Sequence, residues 1–121
     1  MKPIPRAVHG FMDYMMGTLL VAGPYLFELD GRGADSLVFF IGGGAVLLYS
    51  LFTDYELGAV KVIPMRLHLL LDVLSGLLLA ASPWLLGFAD RVFLPHLVLG
   101  IIEIVAVLLT NPSDRDSTRL I

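Results

Sequence analysis

The sequence has no cysteine. That excludes disulfides and thiolate metal sites, and it leaves the redox compartment open. Charge is also scarce. Asp, Glu, Lys and Arg make up 16% of the 121 residues, against about 25% in an ordinary soluble domain. Between residues 36 and 53 there is none at all. A soluble amphipathic helix needs a polar face, and this stretch has no charge to build one. The net charge is −3 with no basic stripe, so nucleic acid is not expected as a partner. The sequence has no phosphate-binding glycine loop, no Ser-His-Asp arrangement and no zinc-protease pattern, and no enzyme activity is expected of it.

What the chain has instead is apolar length. It is 57% hydrophobic with a mean hydropathy of +0.84. Four apolar segments stand out, at about residues 8–28, 36–53, 67–88 and 92–110. About 20 apolar residues at 1.5 Å each cross a hydrocarbon core of roughly 30 Å. The expectation is an all-α polytopic membrane protein: four transmembrane helices in one domain, residues 1–121, with polar tails at 1–5 and 113–121. Lys2 and Arg6 precede the first segment, Lys61 and Arg66 lie between the second and third, and Arg115 and Arg119 follow the fourth. Only Arg32 and Arg91 fall in the two hairpin loops. This asymmetry predicts both termini and the middle loop on the cytoplasmic side of the cell membrane. The first segment is long for a cleaved leader and has a counterpart later in the chain, so it is expected to be retained.

Helix punctuation fits these segments. Pro3 and Pro5 precede the first and Pro64 the third, where a missing N–H costs little. Asp35 and Asp90 are the expected N-caps of the second and fourth, and Pro112 ends the fourth. The segment 54–64, DYELGAVKVIP, mixes apolar and charged residues and is expected along the membrane surface.

The chain also repeats itself. Shifted by 59 positions, His9 falls on His68, Asp13 on Asp72, Gly17 on Gly76, Pro24 on Pro83 and Tyr25 on Trp84. Shifted by 57, Gly43 falls on Gly100, Thr53 on Thr110 and Asp54 on Asn111. One helical hairpin is used twice in the same direction, at about residues 6–56 and 65–113. Such parallel repeats are related by an axis along the membrane normal.

Ser82-Pro83-Trp84 near the end of the third segment, with His68, Asp72, Gly76 and the flanking TDYELG and IPMRLH, resembles the SPW repeat family of small bacterial and archaeal membrane proteins. The first copy departs from the motif, reading Ala22-Gly23-Pro24-Tyr25. The resemblance implies a helical membrane protein and assigns no activity. Pro83 is expected to kink its helix, with the Ser82 hydroxyl bonding back to Leu78. Trp84 and Tyr25 are expected to anchor at the outer interface.

At 100° per residue, Asp13, Gly17 and Pro24 lie about 40°, 80° and 60° from His9, so all share one stripe. His68, Asp72, Gly76 and Pro83 repeat it. A stripe of ionisable and small residues belongs inside a bundle. It reads either as hydrogen-bonding glue between the first and third helices or as paired carboxylates that share a proton or cation. Haem between His9 and His68, and a divalent metal on His9, Asp13, His68 and Asp72, are weighed below these, and no cofactor is assigned. On the fourth helix His96, Gly100 and Glu103 share a face. Glu103 stands opposite Val46 in the repeat, so repetition did not require a carboxylate near mid-membrane. It is read as hydrogen-bonded to a carbonyl or to Ser50, or as an ion, proton or oligomer contact. Gly42, Gly43 and Gly44 are read as a close helix contact. The functional expectation is a non-catalytic accessory or scaffold protein that forms a homo-oligomer or joins a larger membrane complex. The alternative is a proton- or cation-conducting or coupling protein using Asp13, Asp72 and Glu103.

Overall fold

Four helices fold as two hairpins in the computed structural model, which describes residues 2–112. The expected C-terminal tail, with Arg115 and Arg119, lies outside the described residues. The helices are α1 (Arg6–Leu26), α2 (Ala34–Leu51), α3 (Met65–Leu85) and α4 (Leu94–Leu108). By length and composition, Ala34–Leu51 and Met65–Leu85 are apolar enough to cross a membrane, while α4 is apolar but shorter. At about 1.5 Å per residue α4 is only some 22 Å long.

Each helix starts or ends a residue or more inside or outside the expected span, for identifiable reasons. Pro5 and Pro64 are the residues at which α1 and α3 begin, their carbonyls accepting from His9 and His68 N–H. Asp35 and Asp90 are not N-caps. Gly33 precedes α2, and Asp35 lies one residue inside, buried. Phe93 precedes α4, whose first turn holds Pro95. Pro112 does not end α4. The helix stops at Leu108, and just beyond it the Thr110 hydroxyl donates to the Ala106 carbonyl at 2.6 Å, as Thr53 does to Tyr49 after α2.

The strongest packing is within hairpins, α1 on α2 and α3 on α4, with α2 against α3 the main helix contact between them. Both hairpins close on glycines. A Cβ at Gly43 would lie 2.8 Å from the Gly17 carbonyl oxygen, and one at Gly76 would lie 2.8 Å from that of Gly100. Of the Gly42–44 triplet only Gly43 makes this approach, since Gly44 faces open space and Gly42 meets one atom at 3.9 Å.

A connection that repetition alone did not reveal ties the hairpins into a ring. Ile4 N–H donates to Leu109 and the Ile4 carbonyl accepts from Asn111. In the other copy Ile63 N–H donates to Phe52 and the Ile63 carbonyl accepts from Asp54. Each short extended segment before a hairpin therefore pairs with the end of the other hairpin, as isolated parallel bridges Ile4–Thr110 and Thr53–Ile63. These lie at the same end of the bundle as the N-termini of α1 and α3.

The Ser-Pro-Trp triplet is part of α3. The helix runs through Pro83 to Leu85, as α1 runs through Pro24 to Leu26. Proline removes the N–H that Leu79 would receive four residues back. The Ser82 hydroxyl donates to that same Leu79 carbonyl at 2.7 Å, not to Leu78 as expected, and so replaces the lost bond. In α1 the matching residue is Gly23, and a Cβ there would clash with the Phe39 ring. The first copy thus gives up the hydroxyl to make room for an aromatic ring. Trp84 and Tyr25 project outward, 56% and 78% exposed.

Candidate functional site

Four of the expected residues converge at the junction of the hairpins. His9 and Asp13 from α1 face His68 and Asp72 from α3, and all four are buried. Each histidine bonds across the repeat boundary. His9 Nε2 lies 2.8 Å from Asp72 Oδ2, and His68 Nε2 lies 2.7 Å from Asp13 Oδ2. Each also approaches the carboxylate one turn along its own helix, at 3.2 Å for His9–Asp13 and 3.1 Å for His68–Asp72. The two imidazoles meet edge to face with centroids 5.6 Å apart.

The outer nitrogens are held by threonines. His9 Nδ1 is 2.8 Å from Thr110 Oγ1, and His68 Nδ1 is 2.7 Å from Thr53 Oγ1. A hydroxyl has one hydrogen. Both threonines spend it on a helix carbonyl, Ala106 and Tyr49 respectively. They can therefore only accept from histidine, which places a proton on each Nδ1 and points both Nε2 atoms at the carboxylates. The sequence showed Thr53 and Thr110 as repeat mates and gave no sign that they orient the imidazoles.

Two tyrosines complete the cluster, and neither was singled out from the sequence. Tyr49 of α2 donates to Asp72 Oδ1, and Tyr55 donates to Asp13 Oδ2 at 3.0 Å. Most of residues 54–64 are exposed, as a surface segment would be, but Tyr55 is not. It is only 1% exposed and plugs the end of the bundle. Burial first, then the Asp13 charge, push its phenol up, so it remains a donor. Lys61 Nζ holds the loop by bonding the Tyr55 carbonyl at 2.5 Å. Arg6 is buried at the same end, donating to the Asp54 carbonyl and pairing with Glu56 at 3.8 Å.

Both tyrosines come from the first repeat half, and this breaks the two-fold symmetry. The mate of Tyr49 is Ala106. On the α2–α3 side Tyr49 covers Asp72, and the cavity of about 610 Å³ there is lined by none of the four His and Asp residues. On the α1–α4 side Ala106 leaves the cluster open to a cavity of about 380 Å³. His9, Asp13 and Asp72 reach it, with Met12, Met16 and Glu103 on its walls.

Glu103 is buried, 7% exposed, and neither of its oxygens has a hydrogen-bond partner among the described residues. The expected bond to Ser50 is absent. His96 is not part of this cluster either. It bonds the Asp35 carbonyl at 3.0 Å near the opposite end and packs at a tilt of 44° against Phe39, its own repeat mate, with centroids 4.4 Å apart. His96 and Glu103 share a helix face, but seven residues put them about 10 Å apart along the axis. Arg91 pairs with Asp35 at 3.6 Å beside it.

The residues do not fit haem. Both carboxylates lie within 3.2 Å of both Nε2 atoms, where the macrocycle would have to pass. They do offer four donors of metal-ligand type, one from each residue, all within 4.8 Å of one another.

Neither the curated proteins nor the solved structures compared with this chain give a match. The SPW repeat domain matches residues 7–110, from the start of α1 to the threonine that orients His9. That span takes in both His–Asp pairs, both glycine contacts and the Ser82 bond that makes good the missing proline donor, and the chain belongs to the SPW repeat family.

Proposed function

We propose that this chain is a non-catalytic four-span protein of the cytoplasmic membrane, with both termini and the α2–α3 loop inside the cell. In it, two hairpins clamped by a His–Asp cluster form an accessory or scaffold subunit of a homo-oligomer or a larger membrane complex. The observation that carries this reading is the inverted distribution of polarity. His9, Asp13, His68, Asp72 and Glu103 are buried, whereas Phe11, Ile41, Leu70, Leu78 and Leu108 are exposed. Water would select the reverse, and lipid selects this one.

The absence of cysteine supplies the test. Single cysteines at Lys2 and Ala59 should be labelled by an impermeant maleimide only after the inner face of the membrane is opened. Cysteines at Arg32 and Asp90 should be labelled in intact cells. Labelling of the loop positions from the same side as Lys2 would overturn the four-span arrangement.

A second reading, proton or cation coupling, is favoured by Glu103, an unpartnered carboxylate facing a cavity that reaches the His–Asp cluster. In liposomes this reading expects a flux above that of empty vesicles, reduced in Glu103→Gln. Wild-type flux equal to that of empty vesicles would remove it.

A further inference from the structure

We propose that His9, Asp13, His68 and Asp72 form a binding site for one divalent transition-metal ion of the zinc class, reached from the α1–α4 cavity past Glu103. This rests on the cation-handling reading of the site but not on transport, since binding in detergent involves no membrane.

Three independent features support it. The first is ligand geometry. Two imidazole nitrogens and two carboxylate oxygens suit tetrahedral zinc at about 2.0–2.1 Å, which sets ligands about 3.3 Å from one another. The N···O approaches are 2.7, 2.8, 3.1 and 3.2 Å, with Asp13 using Oδ2 toward His68 and Oδ1 toward His9, and one donor atom from each residue falls within 4.8 Å of the others. Occupancy would spread the bonded pairs by a few tenths of an ångström and draw the widest pair together by about 1.5 Å.

The second is the layer behind the ligands. A metal-binding histidine needs its other nitrogen protonated and held, and its carboxylate partners need donors. Thr110 and Thr53 hold His9 Nδ1 and His68 Nδ1. Tyr55 and Tyr49 donate to Asp13 and Asp72. This support does not depend on a proton lying between Nε2 and carboxylate. Two carboxylates with two neutral imidazoles carry two negative charges, which one divalent ion cancels. The buried cluster is then neutral, as a low-dielectric interior demands.

The third is access. The repeat would allow two equivalent approaches, and the chain closes one with Tyr49 and leaves the other open at Ala106. The open cavity carries a carboxylate, Glu103, whose repeat mate Val46 lines the same cavity; both Glu103 oxygens lack a hydrogen bond among the described residues and share that cavity with His9, Asp13 and Asp72. An unpaired buried carboxylate is costly, and a cation passing to the cluster supplies the charge it lacks.

The test uses the full chain in detergent, freed of metal and titrated with Co²⁺ and Zn²⁺. Co²⁺ should develop the visible bands of a tetrahedral ion to one equivalent per chain, and Zn²⁺ should displace them. Asp13→Asn with Asp72→Asn should lose the bands. Because that variant risks misfolding, Glu103→Gln provides a second arm. It leaves the four ligands in place and should elute like wild type, with Co²⁺ uptake slowed at least about tenfold. No tetrahedral signal in folded wild type would overturn the proposal. So would full binding by a folded Asp13→Asn, Asp72→Asn protein. An uptake rate unchanged in Glu103→Gln would overturn the assigned route. Metal binding without liposome flux would leave this site standing and remove only the transport reading.

Discussion

Asp13→Ala is expected to destabilise the fold by about 3–5 kcal/mol, the range for breaking a buried charged pair by removing one partner. Asp13 Oδ2 accepts from His68 at 2.7 Å and from Tyr55 at 3.0 Å, and Asp13 Oδ1 lies 3.2 Å from His9. Truncation leaves His68 and Tyr55 buried with a lost acceptor. Their other anchors remain: Thr53 and the 3.1 Å approach to Asp72 for the imidazole, and the loop itself for the tyrosine. Asp13→Asn keeps the shape and one acceptor oxygen, so its cost should be smaller, about 1–3 kcal/mol, the range for an imperfectly satisfied buried group. Unfolding in mixed detergent followed by circular dichroism measures both. An alanine variant within about 0.5 kcal/mol of wild type would mean that the cluster contributes little to holding the hairpins together.

Gly43→Ala should cost about 1–3 kcal/mol, as overpacking does in a close-packed core. Gly44→Ala, one residue on, should be neutral or stabilising by up to about 1 kcal/mol through helix propensity. The added carbon at Gly43 would stand 2.8 Å from the Gly17 carbonyl oxygen and 2.9 Å from Leu20 and Val21. Backbone on one side and branched side chains on the other leave it no easy way out. At Gly44 nothing lies within 4 Å. The same unfolding measurement ranks the two. Equal effects at both positions would contradict the assignment of the α1–α2 contact to Gly43.

Much of this architecture was legible because it was written twice. The His-x₃-Asp spacing put histidine and carboxylate on one face, and the repeat required that two such faces meet. Glu103 was legible for the opposite reason, as the carboxylate that repetition did not call for. Tyr55 was not, because its reach into the bundle depends on how residues 54–64 fold back, held by Lys61 on the Tyr55 carbonyl. Tyr49 looked like one more aromatic residue in an uncharged helix. Its meaning depends on its mate being Ala106, so that one flank of the cluster is covered and the other open. His96 misled for a geometric reason: a helical wheel preserves angle and discards height. The Ser82 hydroxyl bonds Leu79, one residue from the Leu78 that helix spacing suggests. The carbonyl that proline deprives is the one that draws the hydroxyl.

The helix boundaries shifted for similar reasons. Hydrophobicity marks where lipid-compatible residues begin, whereas the helices begin at Pro5 and Pro64 and stop near the threonines. Those threonines also orient the imidazoles, so residues just past the ends of α2 and α4 build the site. The family match extends from residue 7 to residue 110 and so ends on the second of them.

The two hairpins are joined through His–Asp pairs that cross the repeat boundary. A double-mutant cycle between His68 and Asp13, read by unfolding free energy, tests it most directly. The cross-repeat pair at 2.7 Å should give a coupling of about 1–3 kcal/mol. The same cycle on His68 and Asp72, one turn apart on α3 at 3.1 Å, should give a smaller value. Additivity of His68 and Asp13 within about 0.3–0.5 kcal/mol, the scatter expected of independent sites, would contradict the claim.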